Sequence, residues 1–363
     1  MEDEYQYYSD LDVKYLPGMI GEVKIADVHV IRIPETRVEN RHRIQAIKLY
    51  AREFNMPTGG LYLKRLRYNL ALLAKNFATA EVLSRELQLN EHSTMYTYWF
   101  DQLALLARTI KKLNPSVRWI SRAHGFDVYE EQSDDNYLFF KKPKLQEIDG
   151  LYVVSQNGAT YLRKQFPAYS GKIRQAYLGC EKMGSNPKTE NQAELHVATC
   201  AVVRDIKRLD RLFGILPKLK YKKVVWHVIG DGPDLPKLKI FSAQHLDKLE
   251  CIFYGSKTRE EIKGIYSTQP IDVFISVSRT EGLPMSIMEA MSAGIPALST
   301  DAGGCGEIVK PGSGQLIPID FKDEDVVKIL NEWKAQDLGQ GAEMIWDEQF
   351  NAHKNYRQFR ENF

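Results

Sequence analysis

Two doubly wound α/β domains in tandem are what this sequence predicts, and three observations carry the prediction. The chain has 363 residues, enough for two domains of ordinary size. Short strand-type apolar runs alternate with helical segments, most clearly beyond residue 194; that alternation means parallel sheets with crossover helices. Composition is globular, 44% hydrophobic and 26% charged, which excludes pervasive disorder and fibrous repeats. No run of about 18 apolar residues occurs, so nothing in the sequence reads as a membrane-spanning helix.

The elements follow in order. Residues 28–33 (VHVIRI) read as a strand, and residues 61–87 as a long amphipathic helix entered after the Pro57-Thr58-Gly59-Gly60 break. A helix over 99–113 is ended by Asn114-Pro115, strands follow at 117–121 and 151–154, and Ser155 caps a helix through 165. The first domain is expected over 1–179, with the boundary at Leu178-Gly179-Cys180 ahead of a polar stretch. The second is expected over 180–341. Its strands are 195–203, 224–229, 250–254, 271–277 and 295–299, separated by helices at 205–218, 234–248, 258–267 and 285–293. In 342–363, Trp346, Phe350, Tyr356 and Phe359 form an aromatic stripe at helical spacing, which reads as core.

The net charge of +2 hides an asymmetry: −5 over residues 1–40, +9 over 41–179 and −2 over 180–363. A basic middle segment points to an anionic partner or simply to solvated helix faces. The four cysteines (Cys180, Cys200, Cys251, Cys305) show no metal-ligand spacing, and the acidic N-terminus lacks the apolar core of a secretory leader. A cytoplasmic protein with free thiols is the expectation.

No G-x-G-x-x-G follows an early strand and no G-x-x-x-x-G-K-[ST] occurs; nicotinamide dehydrogenases and P-loop nucleotidases are disfavoured. The informative segment is 278–307, SRTEGLPMSIMEAMSAGIPALSTDAGGCGE. It follows a buried strand and so lies at the carboxyl edge of a sheet, where such folds bind ligands. Pro284 suits the first position of a helix whose free amides would hold a phosphate. Glu289, inside that helix, can accept from a ribose diol, and Glu281, on the loop, from sugar hydroxyls.

Glu281 and Glu289 with the EGLP loop, the SAGIP turn and the later GG-x-x-E resemble glycosyltransferase family 4. The resemblance is strong over 195–320, moderate over 117–180 and weak before that. It implies the GT-B fold: two Rossmann-like domains facing a cleft, with a C-terminal helix over 342–363 crossing back to the first. The implied activity is retaining transfer of a sugar from a nucleotide-diphosphate donor to a saccharide or lipid-linked acceptor, in surface polysaccharide synthesis. No metal and no cofactor are implied, since no D-x-D falls in the cleft loops, and no nucleic acid is expected as partner. Glu289 would hold the ribose, and Glu281 the sugar. Backbone at Leu283, Pro284 and Met285 would line sugar and diphosphate, with Gly255 beside the base. Lys257 in the same loop reads as a bystander, and Gly230-Asp231-Gly232-Pro233 as a tight turn.

The diphosphate clamp departs from the family's commonest pattern. Lys207 matches the usual Lys, but Val202 stands where an Arg is common, and Arg204 is three residues before the Lys; VRDIKRLD looks like an exopolysaccharide-type branch. On the first domain His124, in SRAHGFDVY, matches the family's His that reaches sugar and acceptor, while Asp127 either orients the acceptor or caps the next turn. Families of this fold begin with a central strand and glycine loop. Here MEDEYQYYSDLDVKYL reads as the helix that would follow them, so the first strand is missing. That feature keeps open an impaired nucleotide-sugar-binding protein; a nucleotide-sugar epimerase is the other enzyme reading. An anionic membrane surface is a further expected partner: Arg41, Arg43, Lys64, Arg65, Arg67, Lys111 and Lys112 are basic, and Leu61, Leu66, Leu70 and Leu73 give the long helix an apolar side, either for the headgroup region or for the domain core.

Overall fold

The computed structural model describes residues 36–51, 61–132, 140–189, 191–243 and 248–363, with positions 7, 14–15, 29–30 and 138. The chain forms two compact units, Met1–Ala176 with Arg357–Phe363, and Tyr177–Tyr356.

In the first unit, β1 (Lys14–Tyr15) pairs in parallel with β2 (His29–Val30). Lys14 and Tyr15 are therefore strand, not helix; the rest of the expected opening helix and of strand 28–33 lies outside the described residues apart from Tyr7. The main sheet is parallel, in the order β3 (Thr94–Thr97), β4 (Arg118–Ala123), β5 (Gly150–Val153), β6 (Ile173–Gln175). The helices are α1 (Asn40–Tyr50), α2 (Leu61–Glu86), α3 (Gln102–Leu113), α4 (Lys141–Glu147) and α5 (Gln156–Gln165). Asp101 caps α3 by accepting from the Leu103 amide, and Ser155 caps α5 by accepting from that of Gly158. The leucine side of α2 packs inward: Leu73 is buried, and Leu66 and Leu70 pack with Ala46, Leu49 and Phe140. These leucines are core rather than a membrane-facing side; side chains 61–65 lie outside the described residues.

The second unit holds a six-stranded parallel sheet in the order β12-β11-β10-β7-β8-β9. Its strands are β7 (Glu194–Cys200), β8 (Lys223–Ile229), β9 (Leu249–Gly255), β10 (Val273–Ser276), β11 (Ala297–Thr300) and β12 (Gly314–Ile317). The helices are α6 (Leu235–Ser242), α7 (Arg259–Thr268), α8 (Met285–Ser292), α9 (Cys305–Ile308), α10 (Asp323–Asn331), α11 (Gly339–Ile345) and α12 (Ala352–Arg360). The chain runs outward through β8 and β9, then returns to lay β10 on the other side of β7. Connections therefore leave β7 and β10 in opposite directions, and the crevice beyond their carboxyl ends is the topological switch point. The predicted helix over 205–218 is instead three short 3₁₀ turns, because Arg208 is left-handed (φ 50°) and Pro217 opens the last turn.

The aromatic stripe at the C-terminus is core, with Trp346, Phe350, Tyr356 and Phe359 all buried. It does not ride on one helix. A π-turn over Trp346–Phe350 separates α11 from α12, and only Arg357–Phe363 belongs to the first unit. The reason is local: the Cys180 amide donates to Phe350 O (2.9 Å), and the Trp346 indole N–H and the Ala352 amide donate to Cys180 O. These bonds hold 177–180 and 346–352 in the second unit, whereas Phe359 packs on Tyr152 and under the Arg122 guanidinium in the first.

Candidate functional site

Three loops meet at the switch point. The first, 201–208, leaves β7; the second, 277–284, leaves β10; the third, 301–304, leaves β11. Buried Arg208 ties the first to the second, its Nε donating to Val277 O at 2.7 Å, and the Arg279 amide donates to Ile206 O at 2.9 Å. The third is locked on by glycine. At Gly303 (φ 57°) a Cβ would lie 1.8 Å from Glu281 O, and at Gly304 2.4 Å from Gly282 O. The Gly304 amide donates to Gly282 O at 2.7 Å. These glycines thus permit the approach of two loops, which a side chain would block.

The side chains so positioned form a small network. Lys207 Nζ is 2.6 Å from Glu281 Oε1, and Ser278 Oγ donates to the same oxygen at 2.6 Å. The pair is partly buried, with side-chain exposures of 23% for Lys207 and 12% for Glu281, so water screens it less than a surface pair. Lys207, Ser278, Glu281 and Ser286 line one pocket with Thr199 and Cys200. Pro284 is the N-cap of α8 rather than its first residue, and no side chain caps this end. The first amides of α8, at Met285 and Ser286, have no intrahelical acceptor, and the helix dipole makes this end a region of positive potential. Glu289 lies on α8, 15% exposed, with Arg259 Nε at 3.9 Å. Cys200 is neutral: burial pushes its thiol up to about 12.

Other predicted residues fall at the edge. Gly255 ends β9 in a left-handed conformation (φ 72°) with open space about its α-carbon, and its carbonyl accepts from the Gly230 amide. Lys257 pairs with Glu261 at 2.8 Å. Arg204 is exposed. Gly230 and Gly232 are sterically required, since a Cβ would lie 2.0 Å from Ala201 O and 2.3 Å from Val203 O respectively. Glu307, of the GG-x-x-E motif, is buried and accepts from the Tyr177 hydroxyl at 2.9 Å.

In the first unit His124 follows β4 directly. Its ring lies 4.8 Å from that of Tyr98 and 6.4 Å from that of Trp99. The side chain is 14% exposed, yet neither ring nitrogen has a hydrogen-bond partner among the described residues. Buried polar atoms of that kind call for an explanation, and a ligand is one. Asp127 is 3% exposed. Its two oxygens accept from the backbone amides of Phe100 (2.8 Å) and His124. Those bonds occupy Asp127 in shaping the His124 loop, and the acceptor-contact alternative loses support. Lys141 and Lys144, both buried, complete the scaffold by donating to Val128 O and Phe100 O. Burial lowers the Lys141 ammonium to about 8.

Comparison with known proteins bears on both units. Residues 185–347 match the family model described as glycosyl transferases group 1. That segment is similar to the group 1 glycosyl transferases. The chain is 31% identical over 154 residues to the O-antigen biosynthesis glycosyltransferase WbnH of Escherichia coli, covering 41% of this chain and 42% of that protein. To the lipopolysaccharide 1,6-galactosyltransferase of Salmonella typhimurium it is 34% identical over 92 residues, 25% of this chain and 26% of that one. The chain thus aligns with less than half the length of these relatives. Among solved structures, Anabaena HepE in complex with UDP superposes with a TM-score of 0.63 at 15% identity, covering 84% of this chain and 89% of that one. The apo form of the lipopolysaccharide outer core galactosyltransferase WaaB gives 0.62 at 19%, covering 79% of each chain. The fold is GT-B. Within the matched segment the structure brings Lys207 and Glu281 together and leaves Lys257 engaged with Glu261. Sequence reasoning missed Arg208, which braces two loops, and Arg259, which faces Glu289. Arg259 sits one residue after the N-cap Thr258, where it reads as ordinary helix charge.

Proposed function

We propose that this chain is a retaining, metal-independent hexosyltransferase. It moves a sugar from a nucleotide-diphosphate donor to a saccharide or lipid-linked acceptor in cytoplasmic surface-polysaccharide synthesis. The observation that carries this reading is the Lys207–Glu281 pair at the switch point of the matched segment, beside the uncapped start of α8. Lys207 exchanges Glu281 for the donor diphosphate, and the α8 amides share the negative charge that grows as the sugar–phosphate bond breaks. Glu281, released, accepts from the sugar hydroxyls, and Glu289 accepts from the ribose. Backbone at Leu283, Pro284 and Met285 lines the donor, Gly255 gives the base room, and Arg204 is left for the outer phosphate. The acceptor oxygen attacks the anomeric carbon on the face the diphosphate leaves, and its proton passes to the departing phosphate oxygen. His124, whose ring nitrogens have no hydrogen bond among the described residues, is the first unit's candidate substrate contact. The neighbours' printed ligands, UDP and UDP-glucose for HepE, make a uridine donor the first to test.

The test is donor hydrolysis by purified protein against a panel of nucleotide sugars. An active transferase slowly releases nucleoside diphosphate from one of them. Tight nucleotide binding with no release in any arm contradicts transfer and leaves the impaired binding protein.

A further inference from the structure

Three rings cross the second unit's sheet in a line that the proposed chemistry does not use. His196 of β7, His227 of β8 and Tyr254 of β9 stack in turn, with ring centroids 5.5 Å and 5.9 Å apart at interplanar angles of 24° and 17°. Each ring is also bonded to the next. His196 Nδ1 lies 3.1 Å from His227 Nε2, and His227 Nδ1 lies 2.9 Å from the Tyr254 hydroxyl. The far end meets a carboxylate, with Glu194 Oε2 3.6 Å from His196 Nε2. A carboxylate only accepts, so the Nε2 proton of His196 faces it and the chain runs one way: Tyr254 O–H donates to His227 Nδ1, and His227 Nε2–H donates to His196 Nδ1. His227 is fully buried and neutral, its pKa lowered to about 4 by burial and then by His196.

This chain ends on an irregularity of the ladder. Val228 of β8 stands opposite Phe253 of β9, but Ile229 stands opposite Gly255. Tyr254 is therefore the extra residue of a β-bulge, with no ladder partner on β8. After it Gly255 turns left-handed (φ 72°), and its carbonyl accepts from the Gly230 amide at 2.8 Å. Three residues further on Thr258 caps α7, whose first residue, Arg259, places Nε 3.9 Å from Glu289 Oε1. The bulge thus sets where the Gly255 loop and the start of α7 lie. A phenylalanine would stack on His227 as Tyr254 does; what the hydroxyl adds is a directed bond to a buried imidazole, and that bond fixes a residue the ladder leaves unpaired. We infer that Tyr254 is a positioning residue for the nucleoside half of the donor: its hydroxyl, held by His227, fixes the β9 bulge and with it the Gly255 loop and Arg259 beside Glu289. The inference rests on the proposed placing of the base at Gly255 and of the ribose at Glu289.

Calorimetric titration of the intact protein tests it, using whichever of UDP, GDP and ADP the parent binds tightest. Tyr254→Phe and His227→Phe should each weaken that nucleotide about fivefold, the worth of one hydrogen bond. His227→Asn, which keeps an acceptor near the place of Nδ1, should bind within about twofold of the parent. Because Tyr254→Phe strands a buried nitrogen, Tyr254→Phe/His227→Phe is measured beside it. Removing both partners should restore most of the melting temperature and leave affinity no weaker than in either single variant, since both act through one bond. Parental affinity in Tyr254→Phe overturns the inference and leaves the placing of the base standing. So does His227→Asn weakened as much as His227→Phe, or a double variant that regains parental affinity. A parent that binds none of the three nucleotides overturns the inference together with the placing on which it rests.

Discussion

The two units treat the polar groups at their sheet edges differently. In the second, Lys207, Ser278 and Glu281 are bonded to one another, and the loops that carry them are fastened by Arg208 and the Gly303-Gly304 turn. In the first, Asp127 and Lys144 are satisfied by backbone, but the His124 ring nitrogens have no hydrogen-bond partner among the described residues, the nearest carboxylate oxygen being Asp127 Oδ2 at 3.9 Å from Nδ1. A site whose charges are mutually paired keeps its geometry while empty, and ligand binding then exchanges partners rather than ordering side chains. Buried ring nitrogens without hydrogen bonds cost stability that a ligand can return. The second unit's network is thus preorganised, while the first leaves an imidazole without hydrogen bonds.

The largest effect expected on this comparison comes from the hinge of the second site. Gly303→Ala places a methyl group against Glu281 O in a left-handed backbone. It should lower unfolding free energy by about 1–3 kcal/mol and displace Glu281, with turnover falling by roughly two orders of magnitude or more. A variant with parental activity would show that the third loop does not set the site. His124→Phe sharpens the contrast from the other side. Transfer should fall about tenfold or more, while the melting temperature holds or rises, because two unsatisfied nitrogens are removed. A clear loss of stability would mean that the ring is structural.

A pH titration separates the units further. In the second, the β7–β9 face carries His196, His227 and Tyr254 in one chain, with His227 bonded to both neighbours at 3.1 and 2.9 Å. Burial and then His196 lower the His227 pKa to about 4 from 6.5. The unfolded chain binds the proton more readily, so this stability is complete above pH 6.5 and is lost as pH falls toward 4. The contribution is on the order of 3 kcal/mol. Lys141 in the first unit, lowered to about 8 from 10.5 by burial, acts with the same sign in a higher pH window. Unfolding free energy rises with pH between 8 and 10.5 from this group. Chemical denaturation across pH with His227→Gln should flatten the acid limb; an unchanged slope would assign it to other groups. The smallest effect is Lys257→Ala, which breaks only an exposed pair with Glu261. It should change stability by less than about 0.5 kcal/mol and leave nucleotide affinity unaltered in a titration, unless Lys257 contacts the base.

The same comparison governs what could be read from sequence. The second unit's strands are dense apolar runs, and the candidates Lys207 and Glu281 lie on the short loops after them, with Glu289 on the helix that follows, so all three were legible. What joins those loops was not. Arg208 reaches Val277 and Gly303 meets Glu281 only because β7, β10 and β11 are neighbours in the sheet, and that order is absent from local pattern. The leucine spacing of Leu209, Leu212 and Leu216 mimics a helix, and a left-handed Arg208 gives no sequence signal. In the first unit, β3 (TMYT) and β6 (IRQ) are short and only partly apolar, so periodicity passed over them.

The central claim is that the second unit holds a nucleotide diphosphate at the switch point. Calorimetric titration of the intact protein with UDP, alone and with Glu289→Ala and Lys207→Ala, tests it most directly. The account predicts saturable binding that each substitution weakens roughly tenfold or more, as loss of a charge-assisted hydrogen bond requires. Affinity unchanged in both variants would place the nucleotide elsewhere and contradict it.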